Sequence, residues 1–169
     1  VSPFRDGAPV QEGTFNIPCD TVLISAGLVP ENELSVRAGV KLSNATGGAV
    51  VDSSMMTNVP GIFACGNVLH VHDLVDFVSE ESMSCGEAVA GYLASGSTAA
   101  GEGNIAAGSN IKYVTPSKYR TDVARKFYMR SLLPLEKAIL SVKCGDRILL
   151  ERKLNYVRPP EMQTFTLTP

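Results

Sequence analysis

The hydrophobic and polar positions of this chain follow two patterns, which change near residue 110. Upstream, apolar residues form short uninterrupted runs that end in turn residues. Such runs are typical of strands covered on both faces in a parallel sheet. Downstream, apolar and charged residues alternate, which is typical of antiparallel strands with one buried face. The sequence therefore predicts an α+β chain built from two unlike regions.

Three strands are predicted in the upstream region. Cys19–Ser25, with the sequence CDTVLIS, is a continuous run containing β-branched residues, and Ala26-Gly27 closes it. Ala49–Asp52 and Gly61–Cys65 are shorter runs, each bounded by glycine or proline turns.

One helix is predicted from about Ser79 to Leu93. Ser79 is a suitable N-cap, and Glu80 and Glu81 suit the positive end of the helix dipole. Gly96 is a suitable stop signal. The face predicted to pack contains Met83, Gly86, Val89, Ala90 and Leu93.

The downstream region predicts a small antiparallel β-sandwich. Phe127 and Met129 fall on one face of a strand, and Lys126, Tyr128 and Arg130 fall on the other. The predicted strands are Ile111–Val114, Val123–Arg130, Ala138–Cys144, Arg147–Leu154 and Gln163–Leu167.

The third and fourth of these strands predict a hairpin around Gly145-Asp146. A two-residue loop would place Leu140 opposite Glu151, whereas a three-residue loop pairs Val142 with Ile148 and Leu140 with Leu150. The three-residue loop keeps apolar residues together, and we predict that register.

The charges are divided between the two regions. Three basic residues stand against twelve acidic ones up to Asn110, and twelve basic residues stand against five acidic ones from Ile111 onward. A segment rich in Gly, Ser and Ala, from Ala94 to Asn110, separates them and predicts a flexible connection.

Composition excludes several classes of protein. The apolar runs are too short for a membrane span, and the N-terminus has no signal-peptide pattern, so a cytoplasmic location without membrane contact is predicted. The four cysteines form no CxxC pair. The downstream cations alternate with apolar residues outside any nucleic-acid motif, so they predict a solvated face or a surface for an acidic partner, and no nucleic acid.

The segment Thr57–Val68, TNVPGIFACGNV, places a glycine-asparagine turn directly after a predicted strand. Ligands of open α/β sheets bind beyond the carboxyl ends of strands. Because Gly66 has no side chain, a ligand can approach the backbone there closely. The turn is thus a candidate ligand site, although any α/β protein can contain such a turn.

Both histidines of the chain, His70 and His72, follow this turn. Their spacing places both rings on one face of an extended segment, which would suit a metal ion. No third strong set of ligands is visible in the sequence, so no metal is predicted. His70 and His72 are instead candidate catalytic residues that exchange protons with a substrate, and the alternative is a polar loop without a special role.

Two motifs in this order resemble the C-terminal part of the two-dinucleotide-domain flavoprotein oxidoreductases, the pyridine nucleotide-disulfide reductase and NADH oxidase superfamily. Cys19–Asn32, CDTVLISAGLVPEN, is similar to the segment by which these chains leave the NAD(P) domain. TNVPGIFACGNV is similar to the flavin motif that follows, and Gly48–Asp52, GAVVD, to the strand between them. The resemblance covers roughly half of the chain.

The resemblance implies that Gly66 and Asn67 approach the ribityl and pyrophosphate groups of FAD. It also implies that backbone amides around Ser79 and Glu80 face N1 and C2=O of the flavin, where a helix N-terminus stabilises negative charge. The family motif ends in Gly-Asp, whereas Asn67 stands here. Its amide oxygen can still accept a ribitol hydroxyl, but the negative charge is lost. The alternative is that the cofactor is lost and Asn67 only closes a turn.

The resemblance further implies a division of the chain. Residues 1–30 would be the tail of an NAD(P)-binding domain, 31–94 the C-terminal part of an FAD-binding domain, 95–110 a linker and 111–169 a small basic β-sandwich. The sequence has no G-x-G-x-x-G fingerprint, and GEGNIAAG at 101–108 has the wrong spacing.

The chain is therefore expected to be the final part of a longer FAD-dependent NAD(P)H oxidoreductase, in which hydride passes between nicotinamide and flavin. FAD and NAD(P)H would be cofactors of the intact protein, and the 169-residue chain alone would be inactive. The expected partners are the N-terminal FAD/NAD(P) portion and a second copy or an acidic subunit. The alternative is a non-catalytic binding or subunit-interaction module carried by the basic β region.

Overall fold

The computed structural model describes residues 1–5, 8–97 and 102–169 of the chain. Within these residues the fold is α+β, and every pair of strands is antiparallel. None of the described helices has the length and apolar character needed to cross a membrane. The helices are α1 (Glu33–Arg37) and α2 (Val75–Ser95), and the strands are β1 (Phe4–Arg5), β2 (Ala8–Pro9), β3 (Glu102–Asn104), β4 (Ile111–Thr115), β5 (Lys118–Arg120), β6 (Arg125–Ser131), β7 (Leu135–Cys144), β8 (Arg147–Val157) and β9 (Gln163–Leu167).

The predicted strand Cys19–Ser25 is not formed. No helix or strand lies between β2 and α1, and Leu23 and Ile24 are 92% and 86% exposed. A strand of a parallel sheet needs neighbouring strands for its backbone hydrogen bonds and cover on both faces. None of the described segments pairs with Cys19–Ser25, so the prediction of a covered strand is wrong here.

Two isolated bridges replace the predicted strands at 49–52 and 61–65. Leu42 pairs with Ala49, and Met56 pairs with Phe63. The chain turns between them because the Asp52 carboxylate accepts hydrogen bonds from the amides of Ser54 and Met56, which would otherwise serve a ladder. A hydrophobic cluster nevertheless forms here, from Val40, Ala49, Val51, Met55, Ala64, Leu69 and Cys85.

Helix α2 begins four residues before the predicted N-cap, Ser79. Its N-cap is Leu74, and the Ser79 hydroxyl donates a hydrogen bond to the carbonyl of Val75 inside the helix. The predicted stop signal is confirmed, since Gly96 adopts the left-handed conformation at the C-terminus, with φ 70°.

The buried side of α2 also differs from the predicted face. Met83 and Leu93 are 69% and 78% exposed, whereas Glu81 and Cys85 are buried and Val89 packs on the same cluster. These three positions are four residues apart and therefore share one side of the helix. Because the ionisable residue Glu81 lies on this buried side, a search for apolar residues at helical spacing does not identify it.

The antiparallel strands predicted for the downstream region are confirmed. Strands β4, β6 and β9 form one sheet, and β7 and β8 form a hairpin. The two sheets share a core, in which the rings of Phe127 and Phe165 stack with centroids 5.2 Å apart. Its buried members are Phe127, Met129, Leu140, Phe165 and Leu167.

Part of the predicted connection at 95–110 forms a short strand. Residues 98–101 lie outside the described part of the chain, but β3 follows directly and pairs with β5. The amide of Ile105 then donates a hydrogen bond to the carbonyl of Ser117. A flexible linker over the whole of 95–110 is therefore wrong.

The hairpin is present, but its predicted register is wrong. Cys144 pairs with Arg147 across a two-residue turn, and a bulge after Val142 then places Val142 opposite Leu150 and Leu140 opposite Arg152. The bulge adds one residue to β8, so Val142 lies opposite Leu150 instead of Leu149, while Leu140 still lies opposite a charged residue.

Candidate functional site

The turn at Gly66 is the start of the candidate site. Gly66 has φ +71°, a conformation that favours glycine, and it opens a 3₁₀ turn over Gly66–Val68. Its carbonyl accepts hydrogen bonds from the amides of Leu69 and His70, while its own amide donates to Glu81 Oε1 at 2.5 Å. The turn is therefore tied to the buried side of α2.

Asn67 is exposed at the tip of this turn. Its Oδ1 accepts a hydrogen bond from the amide of His72 at 3.1 Å. An aspartate could accept the same bond, so the loop geometry does not distinguish Asn67 from the family's usual residue. The second lone pair of Oδ1 and the amide nitrogen remain for a ligand.

The loop after the turn packs against Gly48 and is buried. Gly48 packs so closely on Leu69 that an added Cβ would lie 1.7 Å from the Leu69 carbonyl oxygen. The next residue, His70, is buried, and so is His72. Both candidate catalytic residues are therefore enclosed rather than presented at a surface.

Glu81 joins the two histidines from the facing side of α2. His70 Nε2 lies 2.8 Å from Glu81 Oε2, and His72 Nε2 lies 3.2 Å from Oε1. The Glu81 side chain is 0% exposed. Together with the Gly66 amide, three donors converge on this one carboxylate, which we name the His-Glu-His cluster for His70, His72 and Glu81.

The environment sets the charge of this cluster. Burial raises the pKa of Glu81, but the hydrogen bonds from His70, His72 and Gly66 outweigh it and hold the pKa at about 2. Burial lowers the pKa of His70 below its usual 6.5, against the opposing influence of Glu81. At neutral pH the carboxylate is ionised and His70 is neutral, so His70 donates through Nε2.

Residues of the β region complete the enclosure. The Tyr113 hydroxyl on β4 lies 3.3 Å from His70 Nδ1 and accepts a hydrogen bond from Arg130 Nε. The Tyr128 ring on β6 lies 5.4 Å from both histidine rings. The His-Glu-His cluster therefore lies between the upstream region and the β region.

Charged residues on β6 extend this contact. Arg130 donates to the carbonyl of Val71 and lies 3.4 Å from an oxygen of Asp73, and Lys126 pairs with Glu80 on α2. The second face predicted for this strand is thus turned toward the acidic upstream region rather than toward solvent.

The predicted cofactor residues Ser79 and Glu80 depended on a helix start at Ser79. Because α2 starts at Val75, the amides without intrahelical acceptors are those of its first turn, and the amides of Ser79 and Glu80 lie beyond it. No side chain caps the first turn. The structure thus brings Gly66, Asn67, His70 and His72 together and leaves Ser79 and Glu80 aside.

Sequence reasoning missed Glu81, Tyr113 and Tyr128. The sequence indicates Glu81 only as a partner of the helix dipole, although Glu81 follows His72 by nine residues on the predicted helix. The tyrosines carried no signal, since they come from a region with its own strand pattern.

Two cysteines also meet in this part of the fold. Cys65 packs against buried Cys85. Burial, with a further contribution from Cys65, raises the pKa of Cys85 to about 12, so this thiol stays protonated at neutral pH. The pair is a packing contact.

Comparison with known proteins gives two matches. The family model described as "Pyridine nucleotide-disulphide oxidoreductase" matches residues 6–102, which is more than half of the chain. The chain is also similar to the "Probable ferredoxin reductase CtmF" of Castellaniella defragrans, with 42% identity over 52 residues. That match covers 31% of this chain and 12% of the relative, so the chain spans a small part of it. No solved structure matches the chain significantly.

Proposed function

The chain belongs to the pyridine nucleotide-disulphide oxidoreductase family, and on that premise we propose that it supplies the second side of the flavin site in an FAD-dependent NAD(P)H oxidoreductase. The observation that carries the proposal is the Gly66-Asn67 turn, which lies within the family match and whose Gly66 amide donates a hydrogen bond to Glu81. When bound, FAD supplies hydride-transfer chemistry between a nicotinamide and an acceptor.

The residues present fit one side of FAD. Gly66 permits close approach of a ligand to the backbone, and the exposed side chain of Asn67 is fixed by the His72 amide while keeping a free lone pair for a ribitol hydroxyl. The uncapped first turn of α2, at Val75, offers amides and the positive end of a dipole to an anionic group.

In this proposal the His-Glu-His cluster positions the turn. Glu81 fixes the Gly66 amide, and His72 fixes Asn67 through its backbone. Direct proton exchange between a histidine and a substrate stays a prediction. Both imidazole groups are buried and both Nε2 atoms lie against Glu81, so a substrate would need another route to these nitrogens. The side chains supply geometry and exclude water from behind the turn.

The partner in this proposal is an N-terminal FAD/NAD(P) portion of the same protein. The exposed apolar segment Cys19–Ser25 supports it, since an unpaired run of this composition needs neighbouring strands. A cytoplasmic location, a second copy and an acidic subunit stay predictions from the sequence.

One observation favours the alternative, a binding module carried by the β region. A cavity of about 720 Å³ lies between the sheet β4-β6-β9 and the hairpin β7-β8. Its lining includes Ile111, Val114, Leu140 and Phe165. An apolar ligand bound there, without flavin in the longer protein, would favour the module over the oxidoreductase.

The flavin proposal is tested by substitutions at Asn67 in the protein that contains the N-terminal portion. Asn67→Ala is expected to weaken FAD binding about twofold to tenfold, because a neutral hydrogen bond is worth about 0.5–1.5 kcal/mol. Asn67→Asp keeps an acceptor for the His72 amide and is expected to retain flavin. The measurement is the ratio of flavin to protein absorbance after dialysis.

A matched control is Asn58→Ala. Asn58 belongs to the same motif and also fixes a loop, but its hydrogen bonds are with the backbone of Lys41 and Gly39 and not with the Gly66-Asn67 turn. Equal flavin loss in the Asn58→Ala and Asn67→Ala proteins would contradict the contact at Asn67.

A further inference from the structure

We propose that His70, His72 and Glu81 bind one divalent transition-metal ion of the zinc class. The proposal goes beyond the flavin function and does not depend on it, because every ligand belongs to this chain. The sequence alone gave no third ligand, and the fold supplies one by bringing Glu81 of α2 against the H-x-H loop.

The geometry of the His-Glu-His cluster suits such an ion. One ligand atom from each residue lies within 4.8 Å of the others. The Nε2 to carboxylate distances are 2.8 Å for His70 and 3.2 Å for His72. Ligand atoms around a tetrahedral ion with bonds of about 2.0–2.1 Å lie about 3.3 Å apart. An ion can therefore replace the two Nε2 hydrogens if the His70 Nε2 to carboxylate distance widens by about half an ångström and the ligand atoms, now within 4.8 Å of one another, settle near about 3.3 Å.

The donor set selects the class of ion. Two imidazole nitrogens and one carboxylate oxygen form a borderline set that favours zinc and its neighbours over magnesium or calcium, which prefer oxygen ligands alone. Three protein ligands leave a fourth position for water or a small ligand. A cavity of about 210 Å³ bordered by His70, Tyr113 and Arg130 lies beside the cluster on the Nδ1 side of His70, and His72 and Glu81 do not line it.

Outer contacts orient two of the three ligands. Tyr113 holds His70 through Nδ1, and the Gly66 amide holds the Glu81 carboxylate. Nδ1 of His72 is buried and has no hydrogen-bond partner among the described residues. The ion itself would fix the orientation of that ring.

Burial provides the energetic reason for a cation. The side chains of His70 and His72 are each 1% exposed and that of Glu81 is 0% exposed. The described residues place no lysine or arginine within hydrogen-bonding distance of this carboxylate. Hydrogen bonds keep this carboxylate ionised, and a divalent ion would add a positive charge beside it that further offsets the cost of burying it.

The experiment is metal loading of the 169-residue chain, first stripped with EDTA and then dialysed with Zn²⁺ or Co²⁺. We expect about one equivalent of zinc per chain by elemental analysis and the visible ligand-field bands of four-coordinate Co²⁺. Zinc is expected to raise the thermal midpoint, and Mg²⁺ is expected to leave it unchanged.

Variants locate the site. Glu81→Gln is expected to abolish stoichiometric zinc, and Glu80→Gln, at the adjacent exposed position, is expected to keep it. Tyr113→Phe keeps the buried ring and all three ligands, so it tests the site without relying on a disruptive change. It is expected to weaken zinc about tenfold to hundredfold, as loss of an outer contact does.

Several outcomes would overturn the proposal. Wild-type chain without stoichiometric zinc and without a midpoint shift would show that the cluster is held by hydrogen bonds alone. Thiolate-to-cobalt charge-transfer bands would show that the ion binds at cysteines and not at the His-Glu-His cluster. Equal zinc in the wild-type, Glu81→Gln and Tyr113→Phe chains would place it elsewhere. None of these readouts involves flavin, so failure here is distinct from failure of the proposed function.

Discussion

Replacing Glu81 with glutamine is expected to lower the free energy of unfolding by about 1–3 kcal/mol, the usual cost of leaving a buried hydrogen-bond donor without its partner. Three donors converge on the carboxylate, from Gly66, His70 and His72. A carboxamide offers one acceptor oxygen and brings two hydrogens of its own, so at least one donor would face another donor. Water cannot replace the missing acceptor, because Glu81 is only 1% exposed.

The measurement is the urea midpoint of the chain in buffer with EDTA, which removes any bound metal ion. Glu80→Gln is the control, because Glu80 is the preceding residue and pairs at the surface with Lys126. Its loss is expected to cost at most about 1 kcal/mol. Since a whole domain is stable by about 5–15 kcal/mol, the two variants should separate clearly. Equal midpoints for the two would contradict the central role of Glu81.

Gly48→Ala is expected to destabilise the chain by about 3 kcal/mol, at the upper end of what overpacking usually costs. A methyl group at this position would lie 1.7 Å from the carbonyl oxygen and 2.8 Å from the Cα of Leu69. Both are backbone atoms, so no side chain can rotate away. The loop that carries His70 must then move out of the His-Glu-His cluster.

Gly91→Ala is the matched control for this substitution. Gly91 lies inside α2, and an added Cβ would meet nothing within 4 Å. Alanine is the better helix former, so this variant is expected to gain about 0.5–1 kcal/mol. Thermal midpoints that fall for Gly48→Ala and rise for Gly91→Ala would support the account. A rise for Gly48→Ala would contradict the close contact with Leu69.

What the sequence predicted well was what local patterns determine. The alternation in Val123–Arg130 gave the correct two faces of β6, and Gly96 gave the end of α2. The family resemblance found the Gly66-Asn67 turn, and the family model matches the same part of the chain. These features depend on neighbours in sequence.

What it missed depends on neighbours in space. Cys19–Ser25 has the composition of a strand, yet no strand forms where no described segment pairs with it. The sequence does not indicate that Glu81 is buried, because its three hydrogen-bond partners come from a loop that packs on α2. The register of β7 and β8 could not be read from loop length, since a bulge adds a residue without leaving a clear signal.

The central claim is that this chain supplies one side of a two-sided flavin site. In the proposed site, a turn, one amide side chain and a helix end would leave the pyrophosphate and adenine of FAD in water, so one side alone would not be enough to hold the cofactor. The most direct measurement is the ratio of flavin to protein absorbance for three purified proteins: the 169-residue chain, the N-terminal FAD/NAD(P) portion, and the two joined in one protein. We expect a colourless chain, an N-terminal portion that loses its flavin on dialysis, and a joined protein that keeps about one FAD. Stoichiometric flavin in the chain alone, or an N-terminal portion that retains FAD as well as the joined protein does, would contradict the account.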